Sequence, residues 1–489
     1  METGTALSGD PVAGGILVTL GGLGALVMAS VHILRTRDDV RSAAAWLGIV
    51  WLVPVVGLLL YLLFGINRIQ RRAVIERRKR GLAPRTTGPA APEGLSLADL
   101  MPGARQRWQT HDRLAARVSR QPLTAGNRIV PLIGGRAAYA EMIAAIDRAE
   151  RTVALTTYIF QADAAGRRFV AALSRAKARG VEVRVLVDAV GNLYGFKPVT
   201  GLLKRRGVPV AAFNPARFSW RLAFFNLRTH RKLLIVDGTT GFAGGMNIRR
   251  HHLEGRDGQP KVMDTHFRLD GPIVTQLTDA FADDWTFSTG EVLDDYWYPL
   301  AEPVEGGHEV ARAIADGPDA RIPRTATILE SAIASARRRV LVVTPYFMPP
   351  PGLTEALRLA ALRGIEVDIL VPWRNNLPLF NMAMFSSMAP ILATGCRLHL
   401  VPGPFDHSKL TVIDGTWALV GSSNWDARSL RLNFEFNVET YGAELAAILE
   451  KRIEDRIEGA KEMTLADLKA RPVAARALGR VLWLMSPYL

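Results

Sequence analysis

Nine residues occur twice in this chain with almost the same letters, HRKLLIVDG at 230–238 and HSKLTVIDG at 407–415. Each copy offers a histidine, a lysine two positions on, four mostly apolar residues and an Asp-Gly turn. Seventeen positions after each histidine an asparagine closes a small-residue turn, Asn247 in AGGMNI and Asn424 in VGSSNW. The flanks repeat as well. AEMIAAIDRAE, TVALTTYIF, RRFVAALSRAKARG and VEVRVLVD precede the first copy, and TATILESAIASAR, RVLVVTPYF, LTEALRLAALRG and IEVDILVP precede the second. Their periodicities read helix, strand, helix, strand in both cases. A repeat on this scale is a domain-sized unit used twice, so two pseudo-equivalent halves should face each other. Alternating strands and helices argue for largely parallel sheets covered on both sides. The Pro- and Gly-containing stretch at 303–323 reads as the connection between the halves.

The chain has 489 residues, and its first part differs in kind from the rest. No charged side chain occurs from 11 to 31 or from 43 to 66. Each run reaches the ~20 residues needed to cross hydrocarbon. Spans at about 11–34 and 43–66 should form a transmembrane helical hairpin, with Gly14, Gly15, Gly21, Gly22 and Gly24 allowing close approach. A cleaved signal peptide is the rival, but it needs a basic start, and here Glu2 and Asp10 stand without any Lys or Arg. Arg35, Arg37 and Arg41 lie between the spans, whereas Arg68, Arg71, Arg72, Arg77, Arg78, Lys79 and Arg80 crowd the second exit. The heavier basic flank places both termini in the cytoplasm. The expectation is a multi-pass protein of the inner (plasma) membrane with its catalytic part cytoplasmic. The same basic run can attract anionic headgroups or serve topology alone. The expected order is spans in 1–70, a basic juxtamembrane segment and linker at 71–125, a first domain at 126–302, the connection at 303–323 and a second domain at 324–489.

A net charge of +15 and a pI near 10.3 favour an anionic partner, either a membrane surface or nucleic acid. Cys396 is the single cysteine, which excludes an intrachain disulfide and a cysteine-based metal cluster.

Residues two apart in a strand share a face, so His230 should project with Lys232, and His407 with Lys409. Asn247 and Asn424 can add amide donors at the same place. Such donors suit the nonbridging oxygens of a phosphodiester, where charge grows during attack. Neutral imidazole can attack phosphorus and imidazolium can protonate the leaving alkoxide, but one ring cannot do both at once. Two rings on opposite sides of one phosphorus can, which gives the duplication a chemical reason.

With HxKxxxxD complete at His230, Lys232, Asp237 and again at His407, Lys409, Asp414, the chain resembles the phospholipase D superfamily over roughly its whole soluble part. More narrowly it resembles bacterial cardiolipin synthases. The two N-terminal spans, WLVPVVGLLLYLLFG before a basic run, MDTHFRLDGPIV, NFEFNVE and the terminal LMSPYL carry that likeness. The resemblance implies an α/β fold of two pseudo-equivalent phospholipase D-type domains, with central mixed sheets packed together behind the hairpin. It implies His230 as nucleophile in a phosphatidyl-histidine intermediate and His407 as acid, then base. Lys232, Lys409, Asn247 and Asn424 would hold the phosphate. Asp237 and Asp414 belong to the catalytic signature, but the family gives them turn and scaffold parts. Asp264 and Glu435 would orient the histidines, although they stand 34 and 28 positions after the histidine of their own half.

The implied reaction moves a phosphatidyl group from one phosphatidylglycerol to another, giving cardiolipin and glycerol, with phosphatidylethanolamine or another alcohol as open second substrates. It exchanges one phosphodiester for another and needs no cofactor and no metal. A hydrolase of the same superfamily, on lipid or on nucleic acid, is the alternative. No aromatic-interleaved basic surface supports nucleic acid as partner. The hexamer DGPDAR at 316–321 matches the opening of the CDP-alcohol transferase signature, but Glu330 stands where that signature wants Gly. The duplication supplies in one chain the paired halves that single-motif relatives obtain by dimerising, so oligomeric state is left open.

Four further features lie outside the motif, and two of them have two readings. His251, His252 and Glu254 in RRHHLEG are a metal site or, more in keeping with their spacing, a solvated loop. His266 can line the pocket. FSWRLAFFN at 218–226 can dip into the bilayer interface or belong to the core. PLFNMAMFSSMAPIL reads as a packed helix, with Met382, Met384 and Met388 filling gaps.

Overall fold

The computed structural model describes residues 11–36, 40–62, 96–101, 106–194, 198–214, 228–253, 260–318 and 322–484. The basic run at 68–80, the 218–226 aromatic cluster, Glu254 and all of the terminal LMSPYL but Leu484 lie outside the described residues. The described residues divide into two units, 11–62 and 96–484.

In the first unit the helix Pro11–Thr36 contains the one segment, Thr19–Thr36, that is long and apolar enough to cross a membrane among the described residues. The second expected span is not one helix. It breaks into Val40–Leu52 and Pro54–Leu60, because Pro54 has no N–H to continue the ladder and so starts a new piece at its first turn. The pieces pack on the first helix through Ile33, Val50 and Tyr61. Trp51 Nε1 donates to Ser30 Oγ at 3.0 Å, and His32 Nδ1 meets Tyr61 Oη at 2.5 Å. Gly21, Gly22 and Gly24 face open space and not the expected helix contact. A close approach falls instead within the broken second segment, at Gly57, where a Cβ would lie 2.2 Å from the Ile49 carbonyl oxygen.

In the second unit both halves belong to one sheet. From the centre outward the first half runs Thr124–Ile133, Thr265–Asp270, Thr240–Gly244, Leu233–Val236, Thr152–Thr157, Glu182–Asp188 and Val210–Phe213. The second half runs in the same order: Glu309–Asp316, Asn433–Tyr441, Trp417–Gly421, Leu410–Ile413, Arg339–Val343, Glu366–Pro372 and Arg397–Val401, with Lys461–Met463 at the rim. The halves join where Thr124–Ile133 runs antiparallel to Glu309–Asp316. Asn127 pins this seam, donating to the Glu309 carbonyl at 3.1 Å and accepting from the Ile273 N–H at 2.8 Å. The stretch read from sequence as a connection thus contains the first strand of the second half. DGPDAR begins at the end of that strand, in Asp316, and not in a membrane helix.

Among the long strands of each half, parallel pairing joins Thr152–Thr157, Glu182–Asp188 and Val210–Phe213 in the first and Arg339–Val343, Glu366–Pro372 and Arg397–Val401 in the second. The inner ones are antiparallel, because each motif folds back at its Asp-Gly turn. Asp237 and Gly238 have φ of 54° and 67°, and Asp414 and Gly415 have 53° and 61°. Two successive left-handed residues are what a tight hairpin turn requires, and Asp-Gly tolerates them. Helices Gly134–Arg148 and Ala164–Ala178 flank the first half, and Arg324–Ser335 and Pro351–Leu362 the second, each pair closing a separate apolar core.

Candidate active site

Both histidines sit just ahead of a strand, not within one. His230 to Lys232 lie between the two-residue strand Arg228–Thr229 and Leu233–Val236, and His407 to Lys409 lie between Phe405–Asp406 and Leu410–Ile413. Each short strand pairs in parallel with the other half. Arg228–Thr229 pairs with Asn433–Phe434, and Phe405–Asp406 with Val262–Met263. The pairing continues one bond further, since the His230 N–H donates to the Phe434 carbonyl and the His407 N–H to the Met263 carbonyl, both at 2.8 Å. The next residue on each receiving strand is an acid, Glu435 or Asp264.

The consequence is a crossed arrangement. His230 Nδ1 lies 2.9 Å from Glu435, and His407 Nδ1 lies 2.9 Å from Asp264. Counting offsets within each half, as the sequence invites, pairs the wrong partners: each half orients the histidine of the other. An Nδ1–H held by a carboxylate leaves Nε2 as the free, nucleophilic nitrogen of a neutral ring. Glu435 is itself fixed by Ser422 Oγ at 2.5 Å and Asn433 Nδ2 at 3.2 Å. Asp264 accepts the Thr265 N–H at 2.8 Å. Position 245, the counterpart of Ser422, is glycine. A Cβ there would stand 2.8 Å from both Asp264 oxygens and 3.0 Å from the His407 carbonyl oxygen.

Lys232 Nζ donates to the His230 carbonyl at 2.6 Å, and Lys409 Nζ donates to that of His407, so each ammonium is tethered beside its ring. All four groups are buried or nearly so. Burial pushes the His230 ring down to about 4, with Glu435 opposing and Lys232 reinforcing. The His407 ring is lowered by burial and then by Lys409 and Lys232. Burial also lowers Lys232, and lowers Lys409 to about 8. Asp264 is raised by burial to about 8 although both lysines oppose it. Around neutral pH the Asp264–His407 pair therefore keeps a proton, while His230 is a neutral base.

The motif acids stand away from this chemistry. Asp237 accepts the N–H groups of Glu150, Arg151 and Thr152 at 3.0, 2.7 and 2.9 Å. Asp414 accepts those of Arg337, Arg338 and Arg339 at 2.9, 2.8 and 2.8 Å, and pairs with Arg107. Each clamps its hairpin to the turn before a neighbouring strand. Asn247 Oδ1 accepts the Ile159 N–H at 3.1 Å. Asn424 Nδ2 donates to Ser429 Oγ at 3.1 Å.

Some residues at the site were not read from the sequence. The Tyr158 ring lies edge-on to His230 at 5.3 Å, and Tyr346 to His407 at 6.3 Å. Their signal was the tyrosine shared by TTYIF and TPYF at the ends of repeated strands. His252 is buried against Gly135 and Tyr139, contrary to the solvated-loop reading. His266 is buried beside Gly244. No group of three or more His, Cys, Asp or Glu disposed to hold a metal ion occurs among the described residues.

Matched half-sheets that exchange carboxylates across a pair of His-Lys segments define a duplicated phospholipase D-like protein. A family model described as "Cardiolipin synthase, PLD-like domain" matches residues 142–285 and 329–457, together more than half of the chain, and one described as "Phospholipase_D-nuclease N-terminal" matches 24–65. The cardiolipin synthase of Geobacillus kaustophilus is 32% identical, with 97% of this chain and 94% of that protein covered. Cardiolipin synthase A of Pseudomonas putida is 31% identical, with 95% and 96% covered. In fold, the chain is similar to the crystal structure of a phosphatidylserine synthase from Haemophilus influenzae, with TM-score 0.59 and 15% identity over 78% of this chain and 100% of that one. The chain belongs to the cardiolipin synthase family of phospholipase D-like proteins.

Proposed function

We propose that this protein is a membrane phosphatidyltransferase that makes cardiolipin and glycerol from two molecules of phosphatidylglycerol. The observation that carries the mechanism is the crossed pairing of His230 with Glu435 and of His407 with Asp264. It gives two imidazoles each held by a carboxylate at Nδ1, with the Nε2 of His230 unprotonated and the Nε2 of His407 carrying the proton that the Asp264–His407 pair retains. His230, neutral because burial holds its pKa near 4, attacks the phosphorus through Nε2. The P–O bond to glycerol breaks, and the leaving alkoxide takes the proton held by the Asp264–His407 pair. The primary hydroxyl of a second phosphatidylglycerol then gives its proton to His407 and attacks the same phosphorus, which breaks the P–N bond and restores both groups. Lys232, Lys409 and the Asn247 amide stabilise the nonbridging oxygens as charge grows on them. One phosphodiester replaces another, so the cycle needs no nucleotide.

The helix Pro11–Thr36 holds the protein at a bilayer, with the apolar segment at 40–62 as a second, kinked span and the sheet on the cytoplasmic side. The test is to incubate purified protein with labelled phosphatidylglycerol and a chelator and to separate the lipids. Cardiolipin and glycerol, in amounts the chelator leaves unchanged, are expected. Phosphatidic acid as sole product would make the protein a hydrolase. His230→Ala and His407→Ala should each abolish nearly all turnover, because the two rings act as a unit.

A further inference from the structure

The helix Pro378–Ser387, which carries the methionine-rich stretch, is a packed helix on one side only. Phe380, Ala383 and Met384 are buried, but its leading end presents Leu377 and Leu379 at 49% and 56% exposure, beside Trp373 at 46%. Its main neighbour is the last helix, Val473–Leu484, and the two pack closely. A Cβ on Gly479 would come within 2.2 Å of Ser386 Oγ and 2.7 Å of the Met382 carbonyl oxygen, so only glycine permits this approach. Gly479 is the one buried residue described in the last helix. Val473, Leu478, Val481 and Leu484 are between 47% and 71% exposed. A helix with so many outward aliphatic side chains is stable only when something apolar covers them.

The charge around this surface says what covers it. No Asp or Glu occurs from 371 to 405 or from 468 to 489, whereas Arg374, Lys469, Arg471, Arg476 and Arg480 do. Arg471 lies over the Phe385 ring at 4.3 Å and Arg480 over the Trp483 ring at 6.0 Å. Exposed aliphatics with tryptophans at their edge, on segments that carry cations and no acid, match the boundary between acyl chains and anionic headgroups. The surface also adjoins the chemistry. Asn375 donates to the Pro345 carbonyl at 2.9 Å and Tyr346 donates to Asn376 at 2.7 Å. Tyr346 is the ring set against His407.

We propose that Trp373, Leu377, Leu379 and the outer face of the last helix form a lip that lies in the interface of an anionic bilayer and passes lipid acyl chains to the His407 side of the site. The lipid nature of the substrate rests on the proposed function, whereas contact with the bilayer does not. The test uses the full chain reconstituted in phosphatidylglycerol vesicles, with an environment-sensitive maleimide on Leu377→Cys, Val481→Cys or, as control, Val292→Cys; the native Cys396 is buried. Quenchers on the lipid acyl chains should extinguish the first two probes and spare the third. Probes at 377 and 481 that stay unquenched, whether in water or covered by protein, would overturn the proposal.

In a second arm, Leu377→Glu combined with Val481→Glu should raise KM for vesicle-borne lipid by roughly tenfold or more, since withdrawing even one leucine from hydrocarbon has about that effect. Turnover of a monomeric short-chain phosphatidylglycerol should stay within about twofold of the parent, because contacts far from the reacting atoms act through binding. Equal losses on both substrates would also overturn the lip. A parent protein that turns over neither substrate would count against the transferase reading alone, with quenching still deciding the lip.

Discussion

Glu435→Gln is the substitution that isolates the crossed pairing, because it keeps the size of the side chain and removes its charge. Three donors converge on this carboxylate: His230 Nδ1 at 2.9 Å, Ser422 Oγ at 2.5 Å and Asn433 Nδ2 at 3.2 Å. A glutamine has one acceptor oxygen, so its NH2 must face at least one of those donors or turn the His230 ring to the other tautomer. A hydrogen bond to a charged group is worth about 1.5–3 kcal/mol. If that is lost from the transition state, in which His230 gains positive charge, turnover falls roughly 10- to 150-fold. The tautomer change adds to this, since a proton on Nε2 removes the nucleophile. The assay is the initial rate of cardiolipin formation, with unchanged melting temperature as the check on folding. Because Glu435 lies 205 positions from His230, no local effect of the motif can mimic the loss. A rate within about threefold of the parent would refute the reasoning, because this is less than the weakest charged hydrogen bond.

Gly245→Ala should cost most of the activity without touching a charged group, since its Cβ would press on both Asp264 oxygens at 2.8 Å; the lipid-product assay checks this. Asp414→Ala should act on stability and not on chemistry. It orphans three backbone N–H groups and removes the ion pair with Arg107, a loss of about 2–5 kcal/mol, so Tm should drop by several degrees while kcat per folded molecule is retained. The pH profile of kcat/KM should be a broad bell. Its acid limb falls near pH 4, where His230 gains a proton and ceases to be a nucleophile, and its basic limb near pH 8, where Lys409 loses the charge that binds phosphate. An acid limb at about 6.5, the value of an ordinary imidazole, would show that burial does not set the nucleophile's pKa.

The duplication was legible because it is local: motif, turn and flanking strands are written as contiguous letters, and the matched strand orders follow from them. The groups at the site were legible for the same reason. Their partners were not. Whether Glu435 faces His230 or His407 depends on Arg228–Thr229 lying beside Asn433–Phe434, a pairing between segments some 200 residues apart. Periodicity carries no information about such a pairing. The strand Glu309–Asp316 was hidden for a related reason. Its neighbours, PVEGG before and DGP after, have the composition of a linker, and its place in the sheet is set by pairing with both halves. The break in the second apolar segment was legible in principle, since Pro54 stands in its middle, but hydropathy outweighs one missing hydrogen bond when only length and charge are counted.

Trapping the intermediate tests the two-histidine mechanism most directly. Wild-type protein in steady state with phosphatidylglycerol carrying radioactive phosphorus is quenched in alkali, where a phosphoramidate survives although the acyl esters do not, then digested, and the labelled peptides are sequenced. Label on the peptide containing His230 is expected, because that ring is the neutral nucleophile while the Asp264–His407 pair holds the proton. Label on the His407 peptide would reverse the roles, and cardiolipin formed with no label on either histidine would contradict a covalent route through them.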